Sequence, residues 1–250
     1  MENKKAKIDI ILPNFNSSDY IKETIKSVIK QTYTNWNLII VDDCSDEKTV
    51  NILKKYQKNK KFKIYFLKKN QGAGYCRNYA IKKSKSPFIA FLDSDDIWKK
   101  RKLEKQILFM NNNNIDFSYT SYNQIDKNGN KIKTIFAPKY QTYRNLLEDC
   151  KIGLSTVIIR KKILRNSLRF PNLKTKEDLY LWLQLSKKNK LIGYGEVLSD
   201  WRKLDDSLSS NTLQKILDGF RLYYVHEGFN IFKSIYYLFL LSFNYIKKNI

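Results

Sequence analysis

An apolar run that ends in three closely spaced carboxylates constrains this chain more than any other stretch does. Residues 88–92 are apolar and follow Pro87, a pattern typical of a strand that is buried on both faces of a sheet. Asp93, Asp95 and Asp96 come directly after the run, where open α/β sheets bind their ligands. Because a divalent cation relieves the repulsion between crowded carboxylates, the run indicates either a metal site or an ordinary polar turn.

Three further apolar strands precede this run along the chain. We predict them at residues 8–12, 37–41 and 62–67. The segments between the strands are predicted to be helical, because their apolar residues recur every three or four positions. The first helix is predicted to take Ser17 or Ser18 as its N-cap. Strands that alternate with helices indicate βαβ units and a parallel sheet with right-handed crossovers.

A second acidic cluster strengthens the case for a binding site at one edge of this sheet. Asp42 and Asp43 follow the second strand, and residues 70–78 form a glycine-bearing loop that opens a helix. Two acidic clusters at the carboxyl ends of parallel strands are the layout of a nucleotide-binding half. The alternative is that these residues are the polar loops found at the strand ends of any α/β sheet.

The second half of the chain is predicted to mix helices and strands. Its predicted elements are a charged helix at 99–110, a strand at 116–122, a hairpin turn at 126–130, a strand at 155–160, a helix capped by Thr175, a polar loop at 201–210 and helical sequence from Leu213 onward. Asp178 stands three residues after Thr175, so a structural role as its capping partner is the alternative to a catalytic role.

The net charge of the chain, +23 at pH 7, favours polyanionic partners. Lysine-rich compositional drift over the whole surface is the alternative explanation. One hypothesis is therefore a non-catalytic basic module that binds nucleic acid or an anionic membrane. The acidic clusters at Asp42-Asp43 and Asp93-Asp95 argue against nucleic acid, because carboxylates repel its phosphates.

Cysteine usage and hydropathy favour a cytoplasmic location. Cys44, Cys76 and Cys150 are odd in number and lack paired metal-ligand spacing, which is typical of reduced thiols in the cytoplasm. We expect no signal peptide, because the charged N-terminus leads into only a short apolar run before Pro13. The uncharged segment 234–246 is shorter than the ~20 residues of a membrane-spanning helix.

The C-terminal segment combines aromatic residues with lysines. Phenylalanines and tyrosines are frequent in residues 229–246, and Lys233, Lys247 and Lys248 accompany them. This combination suits a helix that lies in a membrane interface. Packing on the rest of the chain, or on a second copy of it in a homodimer, is the alternative. The lone His226 has no partner at metal-ligand spacing and is interpreted as structural.

Six separated motifs, in one order and at similar spacing, give the chain a resemblance to the family 2 glycosyltransferases. They are Ile10-Ile-Leu-Pro-Asn-Phe-Asn16, Ser27-Val-Ile-Lys-Gln-Thr-Tyr33, Val41-Asp-Asp-Cys-Ser-Asp46, Asn70-Gln-Gly with Arg77 and Asn78, Asp93-Ser-Asp95 and Glu177-Asp178. The third motif resembles the uridine-binding turn of the family, with Cys44 in place of the usual glycine. The fifth resembles its DXD motif. The likeness spans residues 7–210.

This resemblance implies an α/β fold of the GT-A type. It has a Rossmann-like nucleotide-binding half, a mixed central sheet and a C-terminal helical tail. The GT-A domain would cover residues 1–210, with the nucleotide-binding half at 7–98 and the acceptor half at 99–210. Residues 211–250 would form the helical, aromatic and basic segment.

The implied activity is the inverting transfer of a sugar from a nucleotide-sugar to a hydroxyl group. The habits of the family favour a UDP-sugar as donor. The acceptor would be a glycan or a polyprenyl-diphosphate-linked glycan, as in the synthesis of lipopolysaccharide or another cell-surface polysaccharide. Such an enzyme would work at the inner face of the cytoplasmic membrane, in peripheral contact with anionic lipid, and we expect it not to bind nucleic acid.

The resemblance also assigns roles to individual residues. The nucleotide-sugar would contact Pro13, Asn16, Asp42, Asp43, Arg77, Asp93 and Ser94. Asp95 would hold Mn²⁺ or Mg²⁺, since hard oxygen ligands suit these ions. Asp178 would be the catalytic base, with Glu177 as the alternative, because a helix N-terminus favours an ionised carboxylate.

Three further residues have two interpretations each. Arg202, from a loop late in the chain, would either touch the donor diphosphate or remain an idle surface cation. Trp182 and Trp201 would either stack on sugar faces or belong to the core.

Overall fold

One mixed β-sheet organises the molecule, which a computed structural model describes for residues 6–164, 168–204 and 212–247. In these ranges the strands are Ile8–Asn14 (β1), Trp36–Asp42 (β2), Phe62–Phe66 (β3), Phe88–Phe91 (β4), Ile97–Trp98 (β5), Phe117–Ile125 (β6), Lys131–Ile135 (β7), Tyr140–Gln141 (β8), Ile158–Arg160 (β9) and Leu191–Arg202 (β10). The helices are Ile21–Ile29 (α1), Glu47–Lys54 (α2), Ala73–Lys83 (α3), Lys102–Asn112 (α4), Tyr143–Glu148 (α5), Glu177–Ser186 (α6), Thr212–Arg221 (α7) and Ile231–Lys247 (α8).

Four neighbouring strands, in the order β3-β2-β1-β4, form the parallel part of the sheet. Each residue of β1, β2 and β4 is buried, as the continuous apolar runs predicted. The four predicted strands and their parallel arrangement are therefore confirmed. In this register Asn14, the last residue of β1, lies beside Asp42, the last residue of β2.

Helices cover both faces of the sheet because successive side chains of a strand point in opposite directions. Ile10 and Leu12 of β1 belong to a core that α1 and α4 close. Ile11, between them, belongs to a second core that α3 and α6 close. On α1 the apolar positions Ile21 and Ile25 face the first of these cores, as their helical spacing predicted.

The rest of the sheet is mostly antiparallel. Strand β9 pairs antiparallel with β4 and with β6, and β10 pairs parallel with β6. Strands β6 and β7 form a hairpin, whose turn Asp126 closes by accepting hydrogen bonds from the backbone N–H groups of Asn128 and Asn130. The predicted hairpin turn at 126–130 is confirmed. The combination of parallel and antiparallel pairs gives the mixed sheet that we expected.

Both predicted helix caps are wrong. Helix α1 begins after Tyr20, which offers no side-chain cap, and the hydroxyl of Ser17 instead donates to the Asn14 side chain. Helix α6 begins after Lys176, and Thr175 bonds to Asp218 instead of capping the helix. In both places the hydroxyl donates to a residue outside the helix, Asn14 or Asp218, and does not cap the first turn.

Two predicted segment boundaries also differ. Ser155 belongs to a 3-10 turn, Leu154–Thr156, which precedes the short strand β9. Trp201 and Arg202 continue strand β10, because they pair with β6, and the predicted polar loop begins later than expected. The remainder of that predicted loop, residues 205–210, lies outside the described residues.

The C-terminal segment is helical, as predicted. Helix α7 runs into a π-helical turn, Leu222–His226, and α8 follows after a short break. Among the described residues, no helix has both the length and the hydropathy that crossing a bilayer requires. His226 packs beside the ring of Tyr180, with ring centroids 5.2 Å apart, in keeping with its structural interpretation.

Gly193 in β10 leaves no room for a side chain. A Cβ atom at this position would lie 2.0 Å from the backbone oxygen of Pro138, whereas one at Gly195 would meet no atom within 4 Å. We expect Gly193→Ala to lower the free energy of unfolding by about 2–3 kcal/mol, and the control Gly195→Ala to change it by less than about 0.5 kcal/mol. Urea denaturation measures both, and equal losses would contradict the close packing at Gly193.

Candidate active site

The carboxyl ends of three parallel strands bring predicted site residues to one edge of the sheet. Strand β1 ends at Asn14, β2 ends at Asp42, and β4 leads through Leu92 into Asp93. Because these strands are parallel neighbours, their ends meet at the edge where α/β proteins bind ligands.

Asp42 is the centre of a buried hydrogen-bond network. Its Oδ1 accepts from Asn14 Nδ2 at 2.7 Å and from the Ser45 hydroxyl at 2.6 Å. Its Oδ2 accepts from the backbone N–H of Ser45 at 3.1 Å. The Ser17 hydroxyl donates in turn to Asn14 Oδ1. These bonds fix the turn after β2 against the end of β1.

The neighbouring carboxylate, Asp43, holds the glycine-bearing loop that opens α3. Its two oxygens accept from the backbone N–H groups of Gln71 and Gly72, each at 2.7 Å. Gly72 has φ +89°, a conformation that residues with side chains rarely adopt. The predicted turn and the predicted loop are thus one structural unit, joined through Asp43.

Two residues around the turn have a left-handed backbone. Cys44 has φ 64° and Asn16 has φ 45°. The N–H of Asn16 donates to the Ser45 hydroxyl at 2.9 Å, and its side-chain oxygen accepts from the N–H of Asp46 at 2.8 Å. A left-handed φ is unfavourable for a residue with a side chain. This explains why glycine is usual at the position of Cys44 in the uridine-binding turn that this segment resembles.

A buried arginine joins the end of β4 to helix α6. Arg77, on α3, is 5% exposed. Its NH2 lies 2.8 Å from Asp93 Oδ1, and its NH1 lies 2.6 Å from Glu177 Oε1. Burial disfavours the charged guanidinium, but the charges of Asp93 and Glu177 outweigh burial and raise the pKa of Arg77. The arginine therefore remains charged and connects two elements that are far apart in the chain.

Asp95 and Asp96, the two other acids that follow β4, lie where the fold disfavours their charged forms. Burial, and then the charge of Asp93, raise the pKa of Asp95 to about 6. Burial, and then the charges of Asp95 and Asp93, raise the pKa of Asp96 well above its ordinary value. Asp96 Oδ1 accepts from the backbone N–H of Arg202 at 2.9 Å, and its Oδ2 has no partner in the described part of the chain.

These acids fit a divalent cation that a bound ligand helps to hold. Within the described ranges, no three His, Cys, Asp or Glu side chains are arranged to hold a metal alone. Mg²⁺ sites commonly use only one or two carboxylates and complete their coordination with substrate phosphates and water, and Mn²⁺ prefers the same oxygen ligands. Burial first, and then the charge of Asp93, raise the pKa of Asp95, and a bound cation would favour its ionised form.

Two carboxylates open helix α6 on the other side of Arg77. Burial, opposed by the charge of Arg77, raises the pKa of Glu177 to about 7. Burial also raises the pKa of Asp178, although Arg77 and the N–H of Leu179 oppose the shift. Asp178 Oδ1 lies 2.7 Å from that N–H. The preceding residue, Lys176, has a left-handed φ of 67°.

Arg202 is neither in a loop nor exposed, so the alternative of an idle surface cation is wrong. It lies in β10 and is 3% exposed. Its Nε donates to the backbone oxygen of Asp95 at 3.0 Å, and its NH2 lies 2.8 Å from Glu23 Oε2. The predicted loop position was wrong because β10 continues further than its polar sequence indicated. Arg202 thereby stabilises the backbone of the acidic turn.

The remaining predicted residues lie in strands, in the turn after β4 or in the core. Pro13 is buried within β1, and the backbone oxygen of Ser94 accepts from the Thr24 hydroxyl at 3.0 Å. Trp182 is fully buried, with its ring centroid 5.1 Å from that of Phe117, so its core interpretation is confirmed. Trp201 is half-buried in β10.

Sequence reasoning missed two residues of the site. The Ser155 hydroxyl accepts from the N–H of Asp93 at 3.0 Å, and the Ser155 backbone oxygen accepts from the Trp98 indole at 2.7 Å. Glu23, on α1, is the ion-pair partner of Arg202. Neither residue belongs to a local pattern, because their partners are far away in the chain and only the fold brings them near.

Comparison with known proteins identifies the family. The model of the family described as "Glycosyl transferase family 2" matches residues 9–166. The chain belongs to the family 2 glycosyltransferases. This membership confirms the predicted family and the predicted enzyme class, and it decides against the non-catalytic basic module.

Two curated proteins are similar over most of their length. TuaG of Bacillus subtilis (strain 168), named for teichuronic acid biosynthesis, is 36% identical over 253 residues that cover 100% of both chains. The UDP-Glc:alpha-D-GlcNAc-diphosphoundecaprenol beta-1,3-glucosyltransferase WfgD of Escherichia coli is 39% identical over 211 residues, which cover 84% of this chain and 82% of WfgD.

Solved structures confirm the GT-A fold. S. aureus TarS 1–349 in complex with UDP-GlcNAc superposes with a TM-score of 0.70 at 26% identity, over 85% of this chain and 65% of that one. The mannosyltransferase PcManGT from Pyrobaculum calidifontis, in complex with GDP-Man and Mn²⁺, superposes with a TM-score of 0.70 over 94% of this chain and 70% of its own. Its identity of 12% makes it evidence for the fold alone.

Asp95 is expected to destabilise the metal-free protein at neutral pH. Its folded pKa of about 6 exceeds its ordinary value of 3.8, so its favourable contribution is present at low pH and is lost as the pH rises through 6. In EDTA, Asp95→Asn should raise the free energy of unfolding by about 1–3 kcal/mol at pH 8 and by less than about 0.5 kcal/mol at pH 4.

Urea denaturation at the two pH values measures this difference. Glu47→Gln, on the exposed side of α2, is the control, and it should change stability by less than about 0.5 kcal/mol at both pH values. A stability of Asp95→Asn equal to that of the wild type at pH 8 would contradict the crowding of charge at this turn.

Proposed function

We propose that this glycosyltransferase moves a sugar from a UDP-sugar to a hydroxyl group of a glycan acceptor, with inversion of configuration. One observation carries the proposal. Arg77 holds Asp93, at the end of β4, and Glu177, at the start of α6, within hydrogen-bond distance of a single guanidinium. The acids suited to a metal–diphosphate group and the acids suited to proton transfer therefore belong to one site.

Similar proteins support a uridine donor. TarS has been solved with UDP and with UDP-GlcNAc, and the name of WfgD specifies UDP-Glc. We assign the nucleotide and its diphosphate to the edge of the sheet where Pro13, Asn16, Asp42, Asp43, Asp93 and Ser94 lie. Both terminal nitrogens of Arg77 already donate to carboxylates, so we assign Arg77 an influence on the donor through Asp93.

We assign Asp95 as the protein ligand of Mn²⁺ or Mg²⁺. Such an ion, when bound, supplies positive charge that stabilises the departing UDP. Asp93 is left to hydrogen-bond the ribose or water, since one of its oxygens is held by Arg77. Asp96 orients the turn, because its carboxylate accepts from the backbone of β10.

Asp178 is the proposed catalytic base. The acceptor oxygen attacks the anomeric carbon on the face opposite the diphosphate, the bond from that carbon to the diphosphate oxygen breaks, and the acceptor proton passes to the carboxylate of Asp178. A raised pKa makes the ionised carboxylate a stronger base than an exposed aspartate. Glu177 is less suited to this role, because its Oε1 accepts from Arg77.

We propose a lipid-linked glycan as the acceptor and a cell-surface polysaccharide as the product. The name of WfgD specifies a diphosphoundecaprenol-linked acceptor, and TuaG is named for teichuronic acid biosynthesis. The charge of +23 suits an acceptor that carries a diphosphate and lies in an anionic membrane. The enzyme would then work at the inner face of the cytoplasmic membrane.

A donor screen tests the proposal. The purified protein is incubated with Mn²⁺, polyprenyl-diphosphate-linked GlcNAc and, in separate reactions, UDP-, GDP- and dTDP-sugars, and nucleotide release is measured. We expect UDP release from a UDP-sugar, loss of release in EDTA, and recovery with added Mn²⁺ or Mg²⁺. Release from GDP- or dTDP-sugars alone overturns the donor assignment, and release that persists in EDTA overturns the metal assignment.

Asp178 and Glu177 offer a matched pair of variants. Asp178→Asn should lower kcat by at least about 100-fold, because the amide cannot accept the acceptor proton, and should leave the Kd of UDP–Mn²⁺ within about twofold. Glu177→Gln keeps an oxygen for Arg77 and should keep kcat within about tenfold of the wild type. Turnover by Asp178→Asn near the wild-type rate would remove Asp178 from its role.

A further inference from the structure

Helices α7 and α8 each bury one side against the rest of the molecule. On α8 the buried residues are Ser234 and Leu241. On α7 they are Asp218 and Gly219. A Cβ atom at Gly219 would lie 2.7 Å from Leu238 Cδ1, so the two helices also approach each other closely. The alternative that the segment packs on its own chain is therefore correct for one side of each helix.

The opposite side of α8 is an apolar surface that no described residue covers. Eight large apolar residues of this helix are more than half exposed, with Phe232 at 85%, and six of them share one side. Their spacing of three and four residues places them along one side of the helix, away from Ser234 and Leu241. We call these residues the α8 stripe: Phe232, Ile235, Tyr236, Phe239, Phe243 and Ile246.

Helix α7 repeats the arrangement. Leu213, Ile216 and Leu217 are 68%, 44% and 51% exposed, at the same spacing of three and four residues, and Asp218 and Gly219 lie on the buried side. Single exposed apolar residues are ordinary on a protein surface, but a row of six along one side of a helix is typical of an interaction site.

The exposed charges of this region are all positive. Both acids of residues 212–247 are buried: Asp218 is 1% exposed, and so is the side chain of Glu227. The exposed charged residues in the same range are Arg221, Lys233 and Lys247. The surface therefore offers a partner apolar groups and cations, with no exposed carboxylate.

We propose that α7 and α8 dock on an anionic lipid bilayer, with the α8 stripe at the level of the headgroups. Tyrosine and phenylalanine beside lysine suit that interface. A second copy of the chain fits less well, because it carries the same charge of +23 and would bring cationic rims together. The proposal rests on the proposed lipid-linked acceptor, whose diphosphate would lie at the same membrane surface.

Vesicle co-sedimentation tests the docking surface. The full chain is mixed with vesicles of phosphatidylcholine and phosphatidylglycerol, or of phosphatidylcholine alone. We expect the protein to bind the anionic vesicles, and to bind the neutral vesicles at least about tenfold more weakly. Phe232→Glu with Phe239→Glu should lower binding to anionic vesicles by at least about tenfold. Phe136→Glu, at an equally exposed phenylalanine outside α7 and α8, should bind like the wild type.

The possible results separate the occupants of this surface. Absence of wild-type binding to anionic vesicles overturns the proposal, and so does unchanged binding of the doubly substituted protein. Analytical sedimentation measures the oligomeric state. A dimeric wild type with a monomeric double variant, in the absence of vesicle binding, would assign the α8 stripe to a second copy and overturn the membrane proposal. Transfer to a water-soluble acceptor analogue should be equal in both proteins, so a failure of the proposed function appears there and not in the vesicle assay.

A separate observation connects α7 with the proposed base. Asp218 Oδ2 accepts from the backbone N–H of Thr175 at 2.9 Å and from its hydroxyl at 3.1 Å. Both residues are buried. A carboxylate of the C-terminal segment thus holds the residues immediately before α6, the helix that begins with Glu177 and Asp178.

The turn that Asp218 holds is unfavourable by itself. Lys176, between Thr175 and Glu177, has φ 67° and ψ 7°, and α6 has no side-chain cap at its start. A left-handed backbone at a residue with a side chain persists only where its surroundings hold it. The two hydrogen bonds from Thr175 to Asp218 supply such a restraint.

We infer that Asp218 is a positioning residue for the proposed base, Asp178. Measured with a water-soluble acceptor, Asp218→Ala should lower kcat by at least about tenfold and leave the donor KM within about twofold. Asp218→Asn should stay within about threefold of the wild type, because its amide oxygen accepts the same two bonds. Lys176→Gly should restore part of the lost kcat in the Asp218→Ala background, because glycine adopts φ 67° freely.

Each result of this series decides the question. Wild-type kcat in Asp218→Ala overturns the inference, and so does a fall in kcat with a proportionate rise in KM, which indicates a general loss of the site. If Asp218→Ala does not fold, Thr175→Val carries the test, because it removes only the hydroxyl bond. It should lower kcat by about threefold with KM unchanged, and an unchanged kcat overturns the inference. Turnover by Asp178→Asn near the wild-type rate, by contrast, would overturn the assignment of Asp178 as the base.

Discussion

The buried guanidinium of Arg77 is the interaction on which the candidate site depends. It lies between a carboxylate at the end of β4 and a carboxylate at the start of α6, at 2.8 and 2.6 Å. Breaking a buried ion pair by removing one partner is strongly unfavourable, because it leaves an uncompensated buried charge. Arg77 therefore fixes the distance between the two acidic groups of the site, one on the central sheet and one on a helix of the second core.

A second arginine supports the same turn from another direction. Arg202 on β10 holds the backbone of Asp95, and its own N–H meets the carboxylate of Asp96. The turn is thus fixed through its backbone and through Asp93 and Asp96, while burial and then the charge of Asp93 disfavour the ionised form of Asp95 and raise its pKa to about 6. Such an arrangement is costly for a folded chain alone and favourable for one that binds a cation, in line with the perturbed groups typical of functional sites.

The sequence predicted the central strands because each is a continuous apolar run, and a run buried on both faces needs no distant partner to be recognised. It predicted the acids of the site because those acids follow the strands directly. It failed at Ser17 and Thr175, where a correct capping pattern is present but the hydroxyl donates to a residue outside the helix, the nearby Asn14 or the distant Asp218. It failed at Arg202 because a polar segment became a strand through pairing with β6.

By itself, the sequence determined the alternating strands and helices of the parallel part of the sheet, the acidic turns at the strand ends and the family, because all of these depend on neighbours along the chain. Tertiary structure alone decided which charges meet. Glu177 lies 100 positions after Arg77, and Arg202 lies 179 positions after Glu23. Tertiary structure also decided which side of α8 is buried, since periodicity defines a helix face but not what covers it. Pairings at such separation are set by topology and burial, and no local pattern records them.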